Sequence, residues 1–526
     1  MLARITNGRG GLWLSLALML LLALPGFFSL PPIDRDEVLF AQASRQMLAS
    51  GDAIDIRFAD APRYKKPVGI YWVQAAAAAI TGLPDQIWSY RLVSLLGALI
   101  AVGFTWGIAR LVMPGDYAVL AAVALAASLL LGAEARLATT DALLLAATMA
   151  GQYVLARGFL PLGRGQKPDL NLPLAIGFWV AQAAAILIKG PIGPMVAVFT
   201  IAGVCAARRD LALLRALRPL WGIPLLLALV VPWFAAITVK SDGAFWAAAL
   251  GRDMFEKLAG ARERHGAPPG FYLALVWITF WPGSMLLAAG LPSLWRGRRE
   301  ALVVFAAGWI IPTWIVFEAT PTKLVHYVLP TYPMLAILVA WALWKTPGRW
   351  WIAALTGVLP LVLLAAVWLQ AGKLGAVLPW GFWAGAVAVV AATAAVLWAY
   401  ARRQVGALIL ALSAGGLALS GAVYPALARL DVLWPATAIA AFAAAHPGCG
   451  LIVAGYAEPS LVFLTDGRVR FGGPESALLA FFAPGCQVIA MARMDTIGLM
   501  AVPVAGVTGL DLGSGKQLDL LIYFKP

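Results

Sequence analysis

Long apolar runs recur along most of the chain, from residue 11 to about residue 425. Runs of about 17–25 apolar residues are long enough to cross the hydrocarbon core of a bilayer as α-helices. The pattern predicts about 13 spans, which cover residues 11–30, 88–112, 117–133, 140–160, 172–188, 191–206, 219–239, 270–290, 301–318, 324–344, 350–370, 378–400 and 405–425. We therefore predict a polytopic α-helical membrane protein.

Two apolar stretches near the N-terminus need separate interpretation. Arg4 and Arg9 precede the first run, as in a signal peptide, but the run is longer than a signal core and no small-x-small cleavage site comes before Asp34. We interpret this run as a retained span. The stretch 67–82 is apolar but short, so we expect it to lie along the membrane interface or inside a cavity.

The pattern of apolar and polar residues changes after Tyr424. Residues 426–526 contain short β-branched runs between Gly, Pro and Asp, which predicts a small α/β domain following a membrane domain of residues 1–425. Cys449 and Cys486 both lie in this domain and would form a disulfide in an oxidising compartment, whereas Cys205 lies at a helix end.

Composition and charge support this organisation and set its orientation. The 526 residues are 62% hydrophobic and 12% charged, which is too apolar for a soluble protein of this size. Arg-rich, acid-poor loops such as "WRGRRE" and "YARRQ" predict one cytoplasmic side, with the N-terminus there and the terminal domain outside. The net charge of +14 is then explained by membrane anchoring, and nucleic-acid binding need not be invoked.

The loops assigned to the outer side carry charges of both signs. They are residues 31–67, 132–140, 240–269 and 319–323. The first of them belongs to a longer outer segment, residues 31–82, which includes interfacial helices. Basic residues there oppose the topology rule, so we interpret them as sites for an anionic ligand. The alternative is that each pairs with a neighbouring carboxylate.

Four charged clusters at membrane depth are candidates for function, because such charges are costly. They are "DRDE" at 34–37 followed by an amphipathic "AQASRQMLASGD", "RYKKP" at 63–67, "EARLATTDALLL" at 134–145 and "EATPTKLVHYVLPTYP" at 318–333. Simpler interpretations remain open: Asp141 as a helix N-cap, His326 as an interfacial histidine, and Arg63 and Lys65 as lipid-headgroup contacts.

The ordered motifs resemble a known family. "DRDEVLFAQASRQMLASGD", "RYKKPVGIYW", "ARLATTDALLL", "LIKGPIGP", "HGAPPGFYL" and "PTKLVHYVLPTYP" are similar to the lipid A aminoarabinose transferase-like branch of the GT-C membrane glycosyltransferases, which is related to protein O-mannosyltransferases. The resemblance covers most of the membrane region and is weak over the terminal hundred or so residues. It implies a helical GT-C bundle with outer-face helices and an outer-face α/β domain.

The resemblance also implies roles for particular residues. The reactive acid of the first loop corresponds to Asp36, and the lysine that binds the carrier phosphate corresponds to Lys66. Lys257 matches a second phosphate-binding position. Glu37 and Asp141 are further catalytic candidates. Arg63 and Lys323 are further phosphate-binding candidates, and the remaining site candidates are Asp34, Tyr64, Lys65, Lys189, His265, His326 and Tyr327.

Two positions depart from the family pattern. Leu39 stands where relatives commonly have Arg, and Lys65 stands where aminoarabinose transferases tend to have Glu. A metal proposed between that Glu and the loop histidine, here His265, would lose a ligand. We therefore assign no metal ligands and no certain cofactor, with a divalent metal left open, and we do not expect aminoarabinose to be the donor sugar.

The predicted function is transfer of a sugar from a polyprenyl (undecaprenyl) phosphate carrier to lipid A or another envelope glycan at the periplasmic face of a bacterial inner membrane. Lys66 and Lys257 would neutralise the phosphate, and Asp36 would take the acceptor proton or orient the acceptor. The expected partners are the lipid-linked donor, a lipid or glycan acceptor and membrane lipids, with the protein acting as a monomer. Alternatives are a transporter or flippase of an anionic lipid and a protein O-glycosyltransferase.

Overall fold

Helices dominate the computed structural model, which describes residues 6, 8–34, 36–161, 166, 168, 170–249, 267–346, 348–496 and 501–526. Its α-helices in the membrane region are α1 (Arg9–Ala23), α2 (Asp36–Ser50), α3 (Gly69–Thr81), α4 (Ile87–Arg110), α5 (Gly115–Ala126), α6 (Leu129–Glu134), α7 (Asp141–Phe159), α8 (Leu172–Lys189), α9 (Ile192–Arg208), α10 (Ala212–Ala216), α11 (Pro219–Lys240), α12 (Ala244–Trp246), α13 (Phe271–Thr279), α14 (Gly283–Arg296), α15 (Ala301–Ala319), α16 (Tyr332–Lys345), α17 (Trp350–Thr356), α18 (Leu359–Lys373), α19 (Trp380–Ala401) and α20 (Val405–Ala428).

The apolar helices account for the predicted spans, although the count is less definite. Within the described residues, nine segments are long and apolar enough to cross a membrane, and the pair α13 and α14, bent by 119°, makes up to ten. The shorter apolar helices α1, α5 and α9 coincide with three further predicted spans. A multi-pass helical membrane protein is thus confirmed, while thirteen spans stay a prediction.

The centre of the bundle is built from helices that are apolar on every side. All residues of α5 from Ala118 to Ala126 are buried, and α5 packs against α1, α4, α16 and α20. In α16 every residue from Tyr332 to Leu343 is buried as well. A helix that is apolar all round must be surrounded by other helices or lipid, and here other helices surround both. In contrast, α11 and α19 leave most of their apolar surface outward, as lipid-facing helices do.

The loop after α1 contributes two helices to one end of the bundle. Pro31 and Pro32 end the first apolar segment, and α2 begins at Asp36. The two-stranded sheet of β1 (Arg57–Phe58) and β2 (Ala61–Pro62) follows, and then the apolar α3, which packs on α2, α4 and α8. The stretch 67–82, expected at the interface or in a cavity, is this helix.

The terminal segment forms the α/β domain that its texture predicts. Its strands are β3 (Gly450–Ala454), β4 (Val469–Gly472), β5 (Gln487–Ala492), β6 (Ala505–Asp511) and β7 (Lys516–Lys525), in the order β4-β3-β5-β7-β6, and its helices are α21 (Pro435–Ala444), α22 (Pro459–Leu464) and α23 (Pro474–Phe482). The β3 strand pairs in parallel with β4 and β5, and β7 pairs antiparallel with β5 and β6. The predicted disulfide between Cys449 and Cys486 is confirmed and joins the segments just before β3 and β5.

The terminal domain docks on the first loop. The Asp34 carboxylate accepts hydrogen bonds from the Ser460 N–H at 2.8 Å and the Tyr456 hydroxyl at 3.4 Å. The Arg45 guanidinium on α2 donates to the Phe463 carbonyl at 3.1 Å and lies 3.1 Å from the Asp466 carboxylate. These contacts join the domain to the helix that begins at Asp36.

Candidate active site

Two adjacent carboxylates open α2, and the structure separates them. Asp36 is exposed, whereas Glu37 is buried with 2% of its surface accessible. Both lie in the first turn, where the helix N-terminus favours negative charge. Of the two, Asp36 is therefore the carboxylate that is open to solvent.

The Glu37 carboxylate is fully engaged by the protein. Its two oxygens accept hydrogen bonds from the Arg91 guanidinium at 2.8 and 2.9 Å. They also accept from the backbone N–H groups of Ile33 and Ala138, each at 2.9 Å. Arg91 itself is completely buried and also donates to the carbonyls that end the first apolar segment. This geometry favours a structural role for Glu37 over the catalytic role that the sequence suggested, because Glu37 ties the loop to α4 and to the turn before α7.

Asp141 and Lys189 were separate candidates in the sequence, and the structure pairs them. Asp141 begins α7, Lys189 ends α8, and the Lys189 Nζ lies 2.6 Å from the Asp141 Oδ1. Thr140, at the N-cap position, makes no side-chain capping bond, and its hydroxyl lies 3.2 Å from Asp141 Oδ2. The carboxylate of Asp141 thus neutralises a buried ammonium group, which N-capping alone does not explain.

His326 bridges this pair to a residue that the sequence analysis did not select. Its Nε2 lies 3.7 Å from Asp141 Oδ2, and its Nδ1 lies 3.5 Å from the Glu134 Oε1. The other Glu134 oxygen accepts a hydrogen bond from Thr139 at 2.8 Å. The signal for Glu134 was its place seven residues before Asp141 in "EARLATTD", across a short turn that returns it to the same depth.

The buried cluster of Glu134, Asp141, Lys189 and His326 lies beside the two main candidates of the first loop. Asp36 lies within electrostatic range of both Glu134 and His326, and Lys66 lies within electrostatic range of His326. Five of these six residues were separate candidates in the sequence, and Glu134 is the one that was not.

Most of "RYKKP" is engaged within the first loop. Arg63 is buried, with its guanidinium carbon 5.0 Å from the centre of the Phe40 ring. The Tyr64 hydroxyl donates to Asp55 at 2.8 Å, and burial, with help from this carboxylate, raises the pKa of Tyr64 to about 12. Lys65 is exposed, and Lys66 is half-buried immediately before Pro67. Lys66 lies within electrostatic range of His326 in the buried cluster.

The remaining candidates divide between the site and its surroundings. The Tyr327 ring centre lies 6.0 Å from the Lys189 Nζ, so Tyr327 borders the cluster. The Lys323 ammonium is buried and donates to the carbonyl of Thr320 at 2.9 Å, within its own turn. Asp34 lies at the contact with the terminal domain, where burial raises the pKa of its carboxyl. Lys257 and His265 lie outside the described residues.

One group of side chains has the composition of a metal site. Ligand atoms of Glu134, Asp141 and His326 all lie within 4.8 Å of one another, a donor set that suits a divalent cation. However, the Lys189 ammonium already supplies positive charge to Asp141. Lys65, which stands where the resemblance implies a metal-binding Glu, carries an ammonium group instead of a carboxylate.

Comparison with known proteins agrees with this class of fold. A model of the dolichyl-phosphate-mannose-protein mannosyltransferase family matches residues 65–235. The chain superposes on the crystal structure of ArnT from Cupriavidus metallidurans bound to undecaprenyl phosphate with a TM-score of 0.76, covering 98% of both chains at 21% identity. The chain thus has the same fold as that structure.

Curated relatives are similar to this chain in sequence. The chain is 28% identical over 347 residues to the undecaprenyl phosphate-alpha-4-amino-4-deoxy-L-arabinose arabinosyl transferase of Edwardsiella ictaluri, covering 64% of this chain and 60% of the relative. The enzyme of the same name from Pseudomonas aeruginosa (strain UCBPP-PA14) is 27% identical over 62% of this chain and 59% of its own length. The matched region thus spans about 60% of these relatives. The chain is similar to these enzymes over that region, in agreement with the resemblance of its motifs.

Proposed function

We propose that this protein transfers a sugar from a polyprenyl phosphate carrier to an acceptor on the outer side of a bacterial inner membrane. One observation carries the proposal. Exposed Asp36 and half-buried Lys66 lie within electrostatic range of His326, in a buried ionic cluster at one end of a membrane bundle. The names of the relatives, which are undecaprenyl phosphate-dependent sugar transferases, support the class of donor.

The orientation is part of the proposal. The Arg-rich loops support a cytoplasmic N-terminus, with Asp36 and the domain of residues 426–526 on the periplasmic side. The docking of this domain on the loop that carries Asp36 requires both to lie on the same side of the membrane. The membrane domain, residues 1–425, would then supply the reacting groups.

The reaction breaks the bond between the anomeric carbon and the carrier phosphate oxygen, and it forms a bond from that carbon to an acceptor oxygen. The carrier leaves as a phosphate monoester, which needs cations more than it needs a general acid. Lys66, held before the rigid Pro67, is placed to neutralise that phosphate near the membrane surface. We propose Lys257 as the second cation.

Asp36 has two roles open to it, depending on the acceptor. With a hydroxyl acceptor, its carboxylate takes the proton as the new bond forms, an effect typically of about 100- to 10,000-fold on the rate. With a phosphate acceptor, such as one on lipid A, the oxygen is already ionised, and Asp36 orients it or stabilises positive charge on the sugar ring. The cluster of Asp141, Lys189 and His326 then sets the electrostatic environment of Asp36 and does not contact the sugar.

The test is turnover of a labelled polyprenyl phosphate sugar by the purified protein in lipid vesicles. Asp36→Asn keeps the volume of the side chain and removes its charge, so we expect a loss of about 100-fold or more with unchanged folding. The matched control is Asp60→Asn, the same change at an exposed residue of the same loop. Lys66→Ala should weaken use of the lipid donor, and more so together with Lys257→Ala.

Three results would overturn the proposal. One is normal turnover by Asp36→Asn. Another is transfer from a nucleotide sugar without any polyprenyl lipid. The third is movement of labelled lipid across the vesicle membrane with no sugar transferred, which would identify a flippase. Analysis of the modified product separates a lipid or glycan acceptor from a protein acceptor.

A further inference from the structure

A charged cavity lies at the end of the bundle opposite the candidate active site. It has a volume of about 530 Å³ and is formed where α7, α9 and α14 end and α15 begins. The charged residues of its lining are Arg208, Arg296, Arg299 and Glu300. Three positive charges therefore oppose one negative charge around a space large enough for a small polar headgroup.

The cavity and the candidate active site lie on opposite sides of the membrane. Helix α7 begins at Asp141, in the buried cluster, and ends at Phe159, in the wall of the cavity. Its 19 residues span about 28 Å at 1.5 Å per residue, close to the thickness of the hydrocarbon core. The cavity is thus a separate feature at the opposite membrane surface, on the Arg-rich side.

The lining combines features that suit a phosphate group attached to an apolar tail. Guanidinium groups bind phosphate oxygens in pairs of parallel hydrogen bonds. The N-terminus of α15 at Ala301 also lines the cavity, and helix N-termini favour anions. Below the charges, Phe159 and Val304 provide apolar walls within helices that cross the membrane.

The arginines differ in how far the protein already uses them. Arg208 lies over the Phe159 ring at 5.2 Å and donates to the Gln166 carbonyl at 3.2 Å. Arg296 donates its Nε to the Pro292 carbonyl, and its other guanidinium nitrogens form no hydrogen bond within the described residues. Within the part of the chain that the structure describes, Arg299 forms no hydrogen bond or ion pair. Arg296 and Arg299 are both exposed, so their remaining donors are available to a ligand.

The positive-inside rule alone would explain the arginines on this side of the membrane, but it would not explain the cavity that they line. Arg402 and Arg403 also lie in an exposed loop on the same Arg-rich side, at the end of α19, and are not part of this lining. They satisfy the positive-inside rule without lining this cavity. We propose that the cavity of Arg208, Arg296 and Arg299 binds the phosphate headgroup of an anionic membrane lipid from the cytoplasmic leaflet.

The test uses the full-length protein in detergent, with retained lipid counted by native mass spectrometry during titration with phosphatidylglycerol. Arg296→Ala/Arg299→Ala should weaken binding about tenfold or more, because each juxtamembrane charge contributes to attraction of an anionic headgroup. Arg402→Ala/Arg403→Ala, the matched control, should bind as the unchanged protein does. Val304→Trp narrows the cavity without altering charge and should also reduce retention.

The outcomes separate a built site from general surface charge. Equal losses in the two double variants, or normal binding by a folded Val304→Trp protein, would overturn the proposal. Competition by millimolar glycerol phosphate alone, with no preference for the intact lipid over phosphatidylcholine, would assign the cavity to a free phosphate compound and would also overturn it. Thermal unfolding of each variant establishes that the protein is folded.

Discussion

The two ends of the membrane bundle use charge in opposite ways. At the end that carries Asp36, charges of both signs are buried and paired, as in Glu37 with Arg91 and Asp141 with Lys189. At the other end, the charged residues are mostly exposed arginines such as Arg402, so that the charges there are mostly positive. Buried ions require partners, whereas exposed ions need only water. The first end is therefore specified residue by residue, whereas net charge is enough to explain exposed arginines such as Arg402 and Arg403 that do not line the cavity.

The largest effect on stability is expected at the Glu37–Arg91 pair. Glu37→Gln keeps the shape of the side chain but leaves the Arg91 guanidinium buried without a carboxylate. We expect a loss of about 3–5 kcal/mol in the free energy of unfolding, because an uncompensated buried charge is costly. Thermal or denaturant unfolding in detergent measures it.

The neighbouring residue and the opposite end supply the controls. Asp36→Asn makes the same kind of change one residue earlier, at an exposed carboxylate, and Arg402→Ala removes an exposed cation. Both should stay within about 0.5 kcal/mol of the unchanged protein. Similar losses for Glu37→Gln and Arg402→Ala would erase the contrast between the two ends.

The same contrast explains what the sequence could predict. Helices follow from long apolar runs, and Asp36, Lys66 and Asp141 attract notice because charges at membrane depth are unusual. The partner of a buried charge has no such signal: Arg91 stands 54 residues from Glu37, inside an apolar helix. The number of spans is less definite for a related reason, since α5 has only 12 residues and packs against other helices on every side.

The Asp141–Lys189 pair should show a smaller effect that depends on both partners. Asp141→Asn preserves any contribution from capping, so a residue that only caps would tolerate it. Because the ammonium lies 2.6 Å away and is nearly buried, we expect a loss of about 1.5–3 kcal/mol. A double-mutant cycle with Lys189→Met tests the pairing. Strictly additive losses would show that the two side chains do not stabilise each other.

The smallest effect is expected at Asp34, where a charge is half-buried at a domain contact. Burial raises the pKa of this carboxyl above its usual 3.8, despite the hydrogen bonds from Ser460 and Tyr456 that favour the ionised form. The folded protein thus holds the proton more tightly than the unfolded chain does. The contact should gain stability as the pH falls through the raised pKa towards 3.8, and lose it as the pH rises again.

Asp34→Asn removes this dependence while keeping an oxygen to accept the Ser460 N–H. The measurement is the unfolding midpoint of the terminal domain against pH, for the unchanged protein and for the variant. We expect the two curves to converge at low pH, where Asp34 is protonated, and to favour the variant at neutral pH, because Asn carries no charge to bury. A variant that is less stable at neutral pH, with the slope unchanged, would mean that the ionised carboxylate itself holds the domain. Asp34 would then belong with Glu37, as a charge whose pairing fixes the position of Asp36.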